Sequence, residues 1–349
     1  MSVNTTYDTV DLLGIIPSTK TPARFFRDMF FAINIFRFST RKIALDRIIE
    51  DQRVAPYVSP VIAGRVRKER GFSTLFYEAP YVKEKSEIKI EDAMDRGPGE
   101  ALGGDKDPAT RYDDAITDLT AKHEERITRR EELQAIELLR TGKITVVGDG
   151  YDINVIDFLR DAGQTITLAG VARWTQPTTR DPLANLQTWS LQTQRLPFGG
   201  PIRTWVFDPV AASNFLAALK ERDELKLLDR TYRGPNASFV LGPQAEQSYY
   251  LGNVNGMDFW VNQDQVELTD GGALTNVLPD NTVIGVSDAA GGALAYGAVR
   301  VAGVLQPLDR YPRIVGGPNM DPSSEHLVTE CSPLCMLRRV NATLCATVG

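Results

Sequence analysis

The residues of this chain best suited to nucleophilic or metal chemistry are 3 cysteines and 2 histidines. Cys331 and Cys335 are separated by three residues and follow His326, a spacing that a metal can bridge. A closed zinc site needs four ligands drawn from characteristic pairs, and Pro333 stands between the two thiols. The cysteines therefore read as buried free thiols. His123 falls in a long charged run and reads as a solvated helix-face residue. Asp149, Asp152 and Asp157 gather around a glycine turn, but without the ligand spacing of a calcium loop. They read as solvated hairpin carboxylates. Gly148-Asp149-Gly150 lacks the lysine and the spacing of a phosphate loop, and no GxSxG elbow occurs. No cofactor or metal site is expected.

The elements that would position any site point elsewhere. Of the 349 residues, 42% are hydrophobic and 24% charged, as in ordinary folded proteins. The net charge of −6 argues against a chain whose main task is neutralising phosphates. The odd cysteine count implies no disulfide framework and fits a reducing compartment. The N-terminus has no basic region followed by an apolar run, so no secretory signal is read. The most apolar early segment, FFRDMFFAINIF, carries Arg27 and Asp28 and is too short to span a bilayer. No membrane association is expected, and the glycosylation-like triplets at Asn4, Asn236 and Asn341 read as chance matches.

Residues 1–20 read as a polar, extended segment. The Phe-rich stretch that follows, with Phe25, Phe26, Phe30 and Phe31, reads either as a short core helix or as an apolar patch kept for a partner. Residues 41–62 read as strand, turn and strand, the second weakened by Pro56 and Pro60. From Val54 the chain runs out as one strand and reaches a basic tip with Arg65, Arg67, Lys68 and Arg70. It returns through Phe72, Phe76 and Tyr81. This two-stranded arm has little of its own to bury. Residues 111–140 lack proline and glycine and form the clearest helix, closed by Gly142. At 1.5 Å per residue it spans about 45 Å with only a narrow apolar stripe. A hairpin is read at 143–158, an irregular stretch at 161–200, and a strand at 203–208. A helix then opens at Pro209, short strands fill 238–310, and further strands surround Pro333.

Several short motifs along the chain carry a resemblance. They are Tyr57-Val58-Ser59-Pro60 with Gly64, Arg70-Gly71, Ser73-Thr74 and Pro80-Tyr81-Val82-Lys83. Later come Val206-Phe207-Asp208-Pro209, then Leu278-Pro279-Asp280-Asn281-Thr282, then Arg310-Tyr311-Pro312 and Pro333-Leu334. In this order, and over nearly the whole chain, they resemble the lambda major head protein family of tailed bacteriophages. The resemblance implies an α+β chain with the Hong-Kong-97 fold. Residues 1–50 would be an N-terminal arm and 51–105 an extended loop. Residues 106–200 would be a peripheral domain with spine helix 111–140 and hairpin 143–158, and 201–310 an axial domain. Strands in 311–349 would return to the peripheral domain.

The resemblance also implies the function. The chain would self-assemble through hexamers and pentamers into an icosahedral head around double-stranded DNA, first as a procapsid and then as an expanded shell. It would work with a scaffold protein, a portal, a protease and a decoration protein at threefold axes. Packaged DNA would be contacted only weakly. The head would be assembled in the host bacterial cytoplasm, and the chain would end in the virion capsid. Intersubunit contacts are expected at Phe25, Phe26, Phe30, Phe31, Arg65, Arg67, Lys68, Arg70, Phe72, Phe76 and Tyr81. Some members of the fold crosslink a loop lysine to an asparagine, and Lys83, Lys85, Lys89 and Asn341 supply the types. The lambda branch relies on noncovalent contacts, which is the expectation here. The competing readings are an enzyme with a carboxylate-only site, drawing on Asp149, Asp152 and Glu246, or a tail-tube or decoration protein.

Overall fold

The computed structural model describes residues 24–48, 54, 55, 57–61, 63, 72–89, 94, 107–229, 248–268, 271–301, 307–317 and 324–349. A π-helical turn at Arg27–Phe31 leads into β1 (Ile35–Arg37) and β2 (Lys42–Ile48), followed by β3 (Phe72–Glu78) and β4 (Val82–Ile88). The long helix α1 (Pro108–Thr141) precedes a hairpin of β5 (Lys143–Gly148) and β6 (Tyr151–Asp157). Then come β7 (Thr165–Thr167), α2 (Pro182–Arg195), β8 (Thr204–Phe207) and α3 (Pro209–Glu221). Short strands β9 (Ser248–Val254), β10 (Met257–Asn262), β11 (Gln265–Glu267), β12 (Leu274–Asn276), β13 (Thr282–Val286) and β14 (Gly292–Tyr296) follow. The chain closes with β15 (Tyr311–Gly317), β16 (Ser324–Cys331), β17 (Pro333–Leu337) and β18 (Thr343–Thr347).

A six-stranded mixed sheet in the order β7-β18-β13-β8-β10-β9 is the centre of the chain. Side chains alternate across a strand, and here both faces are buried. Trp205 and Phe207, Phe259 and Val261, and Val283 face the core under α2 and α3. Val206, Trp260 and Ile284 face the core under α1. That is why these strands read as continuous apolar runs rather than alternating ones. The first core is aromatic, with Trp174 stacked on Trp189 at 6.3 Å and Phe215 packed 5.0 Å from Phe259. Gly285 is needed there, since a Cβ at that position would lie 2.7 Å from the Trp205 ring. The last strand, β18, sits between β7 and β13 in this sheet. Strands β16, β17 and β18 all lie against α1, and through β18 the central sheet serves both cores.

Two of the short sequence motifs meet at one end of β8. Asp208 caps α3 by accepting the backbone N–H groups of Val210 and Ala211, with Pro209 at the first helical position. The Asp208 backbone N–H donates to the Thr282 carbonyl at 3.1 Å. The segment Leu278–Thr282 thus closes onto the motif Val206–Pro209.

The long helix is capped at both ends. Asp107 accepts from Thr110 at the start, and Gly142 takes the left-handed conformation at the end, with φ of 73°. Arg160 donates to the carbonyls of Leu139 and Arg140 and to Thr165 Oγ1, so its buried guanidinium closes the final turn. His123 is not solvated as the sequence reading had it. It is buried, with Nδ1 2.9 Å from Thr329 Oγ1 and Nε2 2.8 Å from Ser86 Oγ, and it pins α1 to β4 and β16. The stretch 161–200 is not irregular either, because Asp181 caps α2 and Leu183, Leu186 and Trp189 bury one face of it.

Two neighbouring glutamates in the middle of α1 are fully buried. Glu132 accepts the backbone N–H groups of Phe26 at 2.8 Å and Arg27 at 2.7 Å. Glu131 pairs with Arg27 Nε at 2.6 Å and Arg310 at 3.5 Å, and accepts the Tyr296 hydroxyl at 2.9 Å. Through these bonds one turn of α1 holds the N-terminal segment, β14 and the start of the C-terminal strands.

Two outcomes follow from this packing. Arg160→Ala leaves two last-turn carbonyls without their donor and should lower stability by about 1–3 kcal/mol in urea denaturation. Burial raises the Glu132 carboxyl from 4.5 to about 8, against the backbone donors, with Asp264 and Asp28 adding to the rise. The folded chain then holds a proton that the unfolded chain has released, so stability falls as pH climbs between those values and levels off above them. In thermal melts from pH 5 to 8 the wild type should lose stability relative to Glu132→Gln, because the variant lacks this fall. Parallel curves would show that Glu132 carries no such proton.

Candidate intersubunit surface

The arm is a ribbon of β2 and β3, paired antiparallel from Lys42↔Glu78 to Ile48↔Phe72. The partner of FSTLFYE is therefore KIALDRI, not the segment from Val54 to Ile62 that the sequence suggested. Residues 54, 55 and 57–61 form no strand, and Tyr57, Val58 and Val61 are exposed. Two prolines in that segment explain the difference, since proline removes ladder donors.

The root of the ribbon is the part it buries. Ile43 and Tyr77 are cross-strand partners and both are buried, with the Tyr77 ring stacked on Phe158 at 4.6 Å. One step out, Leu45 and Leu75 are partly buried against the same core. On the opposite face Ala44 and Phe76 are paired, and Phe76 is 66% exposed. A Thr74 hydroxyl bond to Asp46 at 2.6 Å continues the pairing outward.

Between β3 and β4 the chain bends at Ala79-Pro80 and changes sheets, because β4 pairs with β16 rather than β2. The bend is clamped. Ser332 Oγ donates to the carbonyls of Ala79 and Pro80, and the Tyr81 N–H donates to Tyr151 Oη at 2.9 Å. The Tyr81 hydroxyl donates to Glu330 and accepts the Arg300 backbone N–H, while the Arg300 guanidinium lies 5.4 Å over the Tyr81 ring. Burial and then the Glu330 bond push the Tyr81 hydroxyl up to about 12. Burial also works to raise the Glu330 carboxyl, but hydrogen bonds from Tyr81, Arg313 and Lys83 outweigh it and hold the group below the usual range. Glu78 closes the other side with Arg41 at 2.8 Å and Arg300 at 3.0 Å.

The expected contact residues separate into three groups. Phe25, Phe26 and Phe31 are fully buried in their own chain, Phe25 lying 5.6 Å from the Trp260 ring. They offer no side-chain surface to a neighbour, and of the two readings of the Phe-rich segment the core reading holds for them. Phe30 is partly buried against the same cluster. Phe76 is exposed on the ribbon, and Tyr81 belongs to the clamp. Phe72 ends β3, and Arg65, Arg67, Lys68 and Arg70 lie outside the described residues.

Sequence reasoning did not single out the outer face of the β5–β6 hairpin. Val147, Ile153 and Val155 are exposed there, and Asp149 is exposed at the turn. The signal was present as alternation in YDINVID, read only as a hairpin. On the inner side a shallow cavity of about 250 Å³ is lined by Glu78, Pro80, Val146, Tyr151, Asp152 and Asn154.

Of the carboxylates of the enzyme reading, Asp149 is exposed at the hairpin turn, Asp152 lines the cavity, and Glu246 lies outside the described residues. Among the described residues no group of three or more potential metal-ligating side chains forms, and no helix is long and apolar enough to cross a membrane. The three cysteines are free and buried, and burial raises each thiol. Of the residues that could supply a crosslink, Lys85 and Lys89 are exposed, while Lys83 and Asn341 are engaged within the chain. Lys83 pairs with Glu330 at 3.1 Å, while the Asn341 amide accepts from the Asp161 N–H and donates to the Pro197 carbonyl.

Known proteins resemble this chain over most of its length. The major capsid protein of enterobacteria phage P21 is 28% identical over 348 residues, covering 95% of this chain and 96% of that protein. The major capsid protein of Escherichia phage lambda is 29% identical over 314 residues, covering 86% of this chain and 87% of the relative. A crystal structure assigned to the capsid protein of a prophage in E. coli CFT073 has a TM-score of 0.73 at 19% identity, covering 98% of this chain and 97% of that one. It carries the same fold, that of tailed-phage capsids. The family model described as phage major capsid protein E matches residues 8–348, and with that match the chain belongs to this family.

Proposed function

We propose that this chain is the building block of a closed phage head, and that the β2–β3 arm of one copy lies across a neighbouring copy. The observation that carries the reading is the arm itself. Its root is anchored by the buried Ile43 and Tyr77, with Leu45 and Leu75 partly buried beside them, while Phe76, Tyr57 and Val61 remain exposed in the single chain. A ribbon of this kind gains its missing contacts when laid on a partner, through main-chain bonds and alternating side chains. Heterologous contacts repeated around closed rings give a shell, and many weak contacts add up to a strong assembly.

The finer parts of the reading rest on family membership. The protein would form a procapsid with a scaffold, portal and protease, expand as double-stranded DNA enters, and take a decoration protein at threefold axes. It would be built in the host bacterial cytoplasm and end in the virion. The net charge of −6 supports weak, non-specific contact with packaged DNA. A structural rather than catalytic role fits the buried thiols. The division into N-terminal arm, extended loop, peripheral and axial domains is proposed on the same ground. The central sheet is shared between the latter two.

The test is to shorten the arm without touching its root. Removing residues 64–96 would also delete β4, which pairs with β16 and carries the buried Ile88. Joining Ile48 to Phe72, the last paired residues, through an Asn-Gly turn removes residues 49–71 and keeps the ribbon's register. The shortened chain should unfold at nearly the wild-type temperature yet form no closed particles by electron microscopy. Normal shells from it would overturn the arm's role between subunits.

A further inference from the structure

One end of the central sheet carries arginines that the shell-forming reading leaves unused. Strands β8, β13 and β18 line up there, with Val286 opposite both Thr204 and Thr343. Three loops meet at this end. The loop after α2 lies against the loop between β13 and β14, since a Cβ on Gly200 would stand 2.6 Å from Ser287 Oγ and 3.0 Å from Ala289 Cβ. The loop between β17 and β18 joins both. The Arg339 N–H donates to the Ala290 carbonyl at 3.0 Å, and the Asn341 amide donates to the Pro197 carbonyl at 2.9 Å.

These loops carry Arg195, Arg203, Arg338 and Arg339, and all four are exposed. The acids nearby are engaged. Asp288 pairs with Arg203 at 3.8 Å. Asp161 accepts the Gly163 N–H, and Asp258, toward the β9 edge, accepts the Tyr250 hydroxyl and the Asn253 amide. Asp229 lies at that same edge, bridged to Asn253. Among the described residues Arg195, Arg338 and Arg339 have no ion pair. Arg338 is also held in place. Its stem crosses Gly291, where an added Cβ would meet it at 3.4 Å, and its guanidinium lies 5.5 Å from the centre of the Phe36 ring.

Like charges gathered on one surface repel each other, so a cluster of this kind in a chain of net charge −6 points to an anionic partner. Guanidinium forks match phosphate oxygens two at a time, and a fork stacked on an aromatic ring is already oriented for docking. Exposed cations on three loops suit a line of successive phosphates. A single small anion would need donors converging in an enclosed pocket.

We propose that Arg195, Arg203, Arg338 and Arg339 form the surface through which this chain contacts the phosphate backbone of duplex DNA. This rests on the shell-forming reading for the source of the DNA, and adds which face of the subunit looks inward. So few phosphate contacts keep the grip weak, and phosphates carry no base sequence to read.

Fluorescence anisotropy of a labelled DNA duplex, titrated with the full chain, tests the contact. Arg195→Gln, Arg338→Gln and Arg339→Gln together should weaken binding about tenfold at about 50 mM salt, and reduce the log-log salt slope by about three. Arg195→Lys, Arg338→Lys and Arg339→Lys together should keep the slope, because the charge remains. Lys122→Gln, Arg126→Gln and Arg130→Gln remove the same charge from exposed positions of α1 and should leave binding within about twofold of wild type. A first triple variant that binds like wild type, or an α1 triple variant that loses as much, overturns the contact. Stronger competition by poly-glutamate than by unlabelled duplex also overturns it, and gives the surface to an acidic protein segment.

Electron microscopy of the same preparations separates this contact from the shell-forming reading. A chain that binds duplex through these arginines but closes no shells overturns that reading and leaves the contact standing. Normal shells from a chain whose first triple variant binds DNA unchanged overturn the contact alone.

Discussion

A two-stranded ribbon cannot bury both of its faces, and this constraint organises the rest of the molecule. The arm is fixed where Ile43 and Tyr77 enter the core, and beyond that point no described residue covers Phe76, which stays exposed. A ribbon that must be completed by a neighbour is useful only if its direction is set in advance, because freedom at the root would be lost on docking. The bend at Ala79-Pro80 is accordingly held from several sides. Ser332 takes both carbonyls, Tyr151 takes the following N–H, and Glu330 and Glu78 gather arginines around Tyr81. Surface ion pairs are individually weak. Their contribution here is to fix an angle through several simultaneous contacts.

That root stands on the buried middle of the long helix. Glu131 and Glu132 tie the segment before β1 to α1, and Glu131 also reaches Tyr296 and Arg310, which begin the path back to the arm. Buried ion pairs add little net stability over an apolar core, but removing one partner leaves an uncompensated charge and is strongly destabilising. Such a network specifies one arrangement of distant segments. His123 acts in the same way further along the helix, joining it to the two strands that carry Ser86 and Thr329.

Much of this was legible in the sequence. The long helix, the hairpin after it and the proline-opened α3 were all readable. Caps, turns and unbroken periodicity are local signals. The pairing of β2 with β3 was not readable, because a ribbon's register depends on residues far apart, and the apolar run with two prolines was the more conspicuous candidate. Helix α2 was missed although Asp181-Pro182 and the spacing of Leu183, Leu186 and Trp189 announced it. His123 was read as solvated because charge and polarity were taken for exposure. His123 in fact falls on the stripe of Ile116, Leu119 and Ile127. The Phe-rich segment was ambiguous for a physical reason, since composition alone cannot tell a core from an interface. The hairpin face was overlooked because its exposure appears only once the inner face is known to be covered.

The most direct test of the central claim is electron microscopy of the purified wild-type chain at high concentration, with a scaffold protein added if the chain alone stays unassembled. Closed icosahedral particles are the predicted result. A monomer or small oligomer that persists with scaffold present would contradict the account.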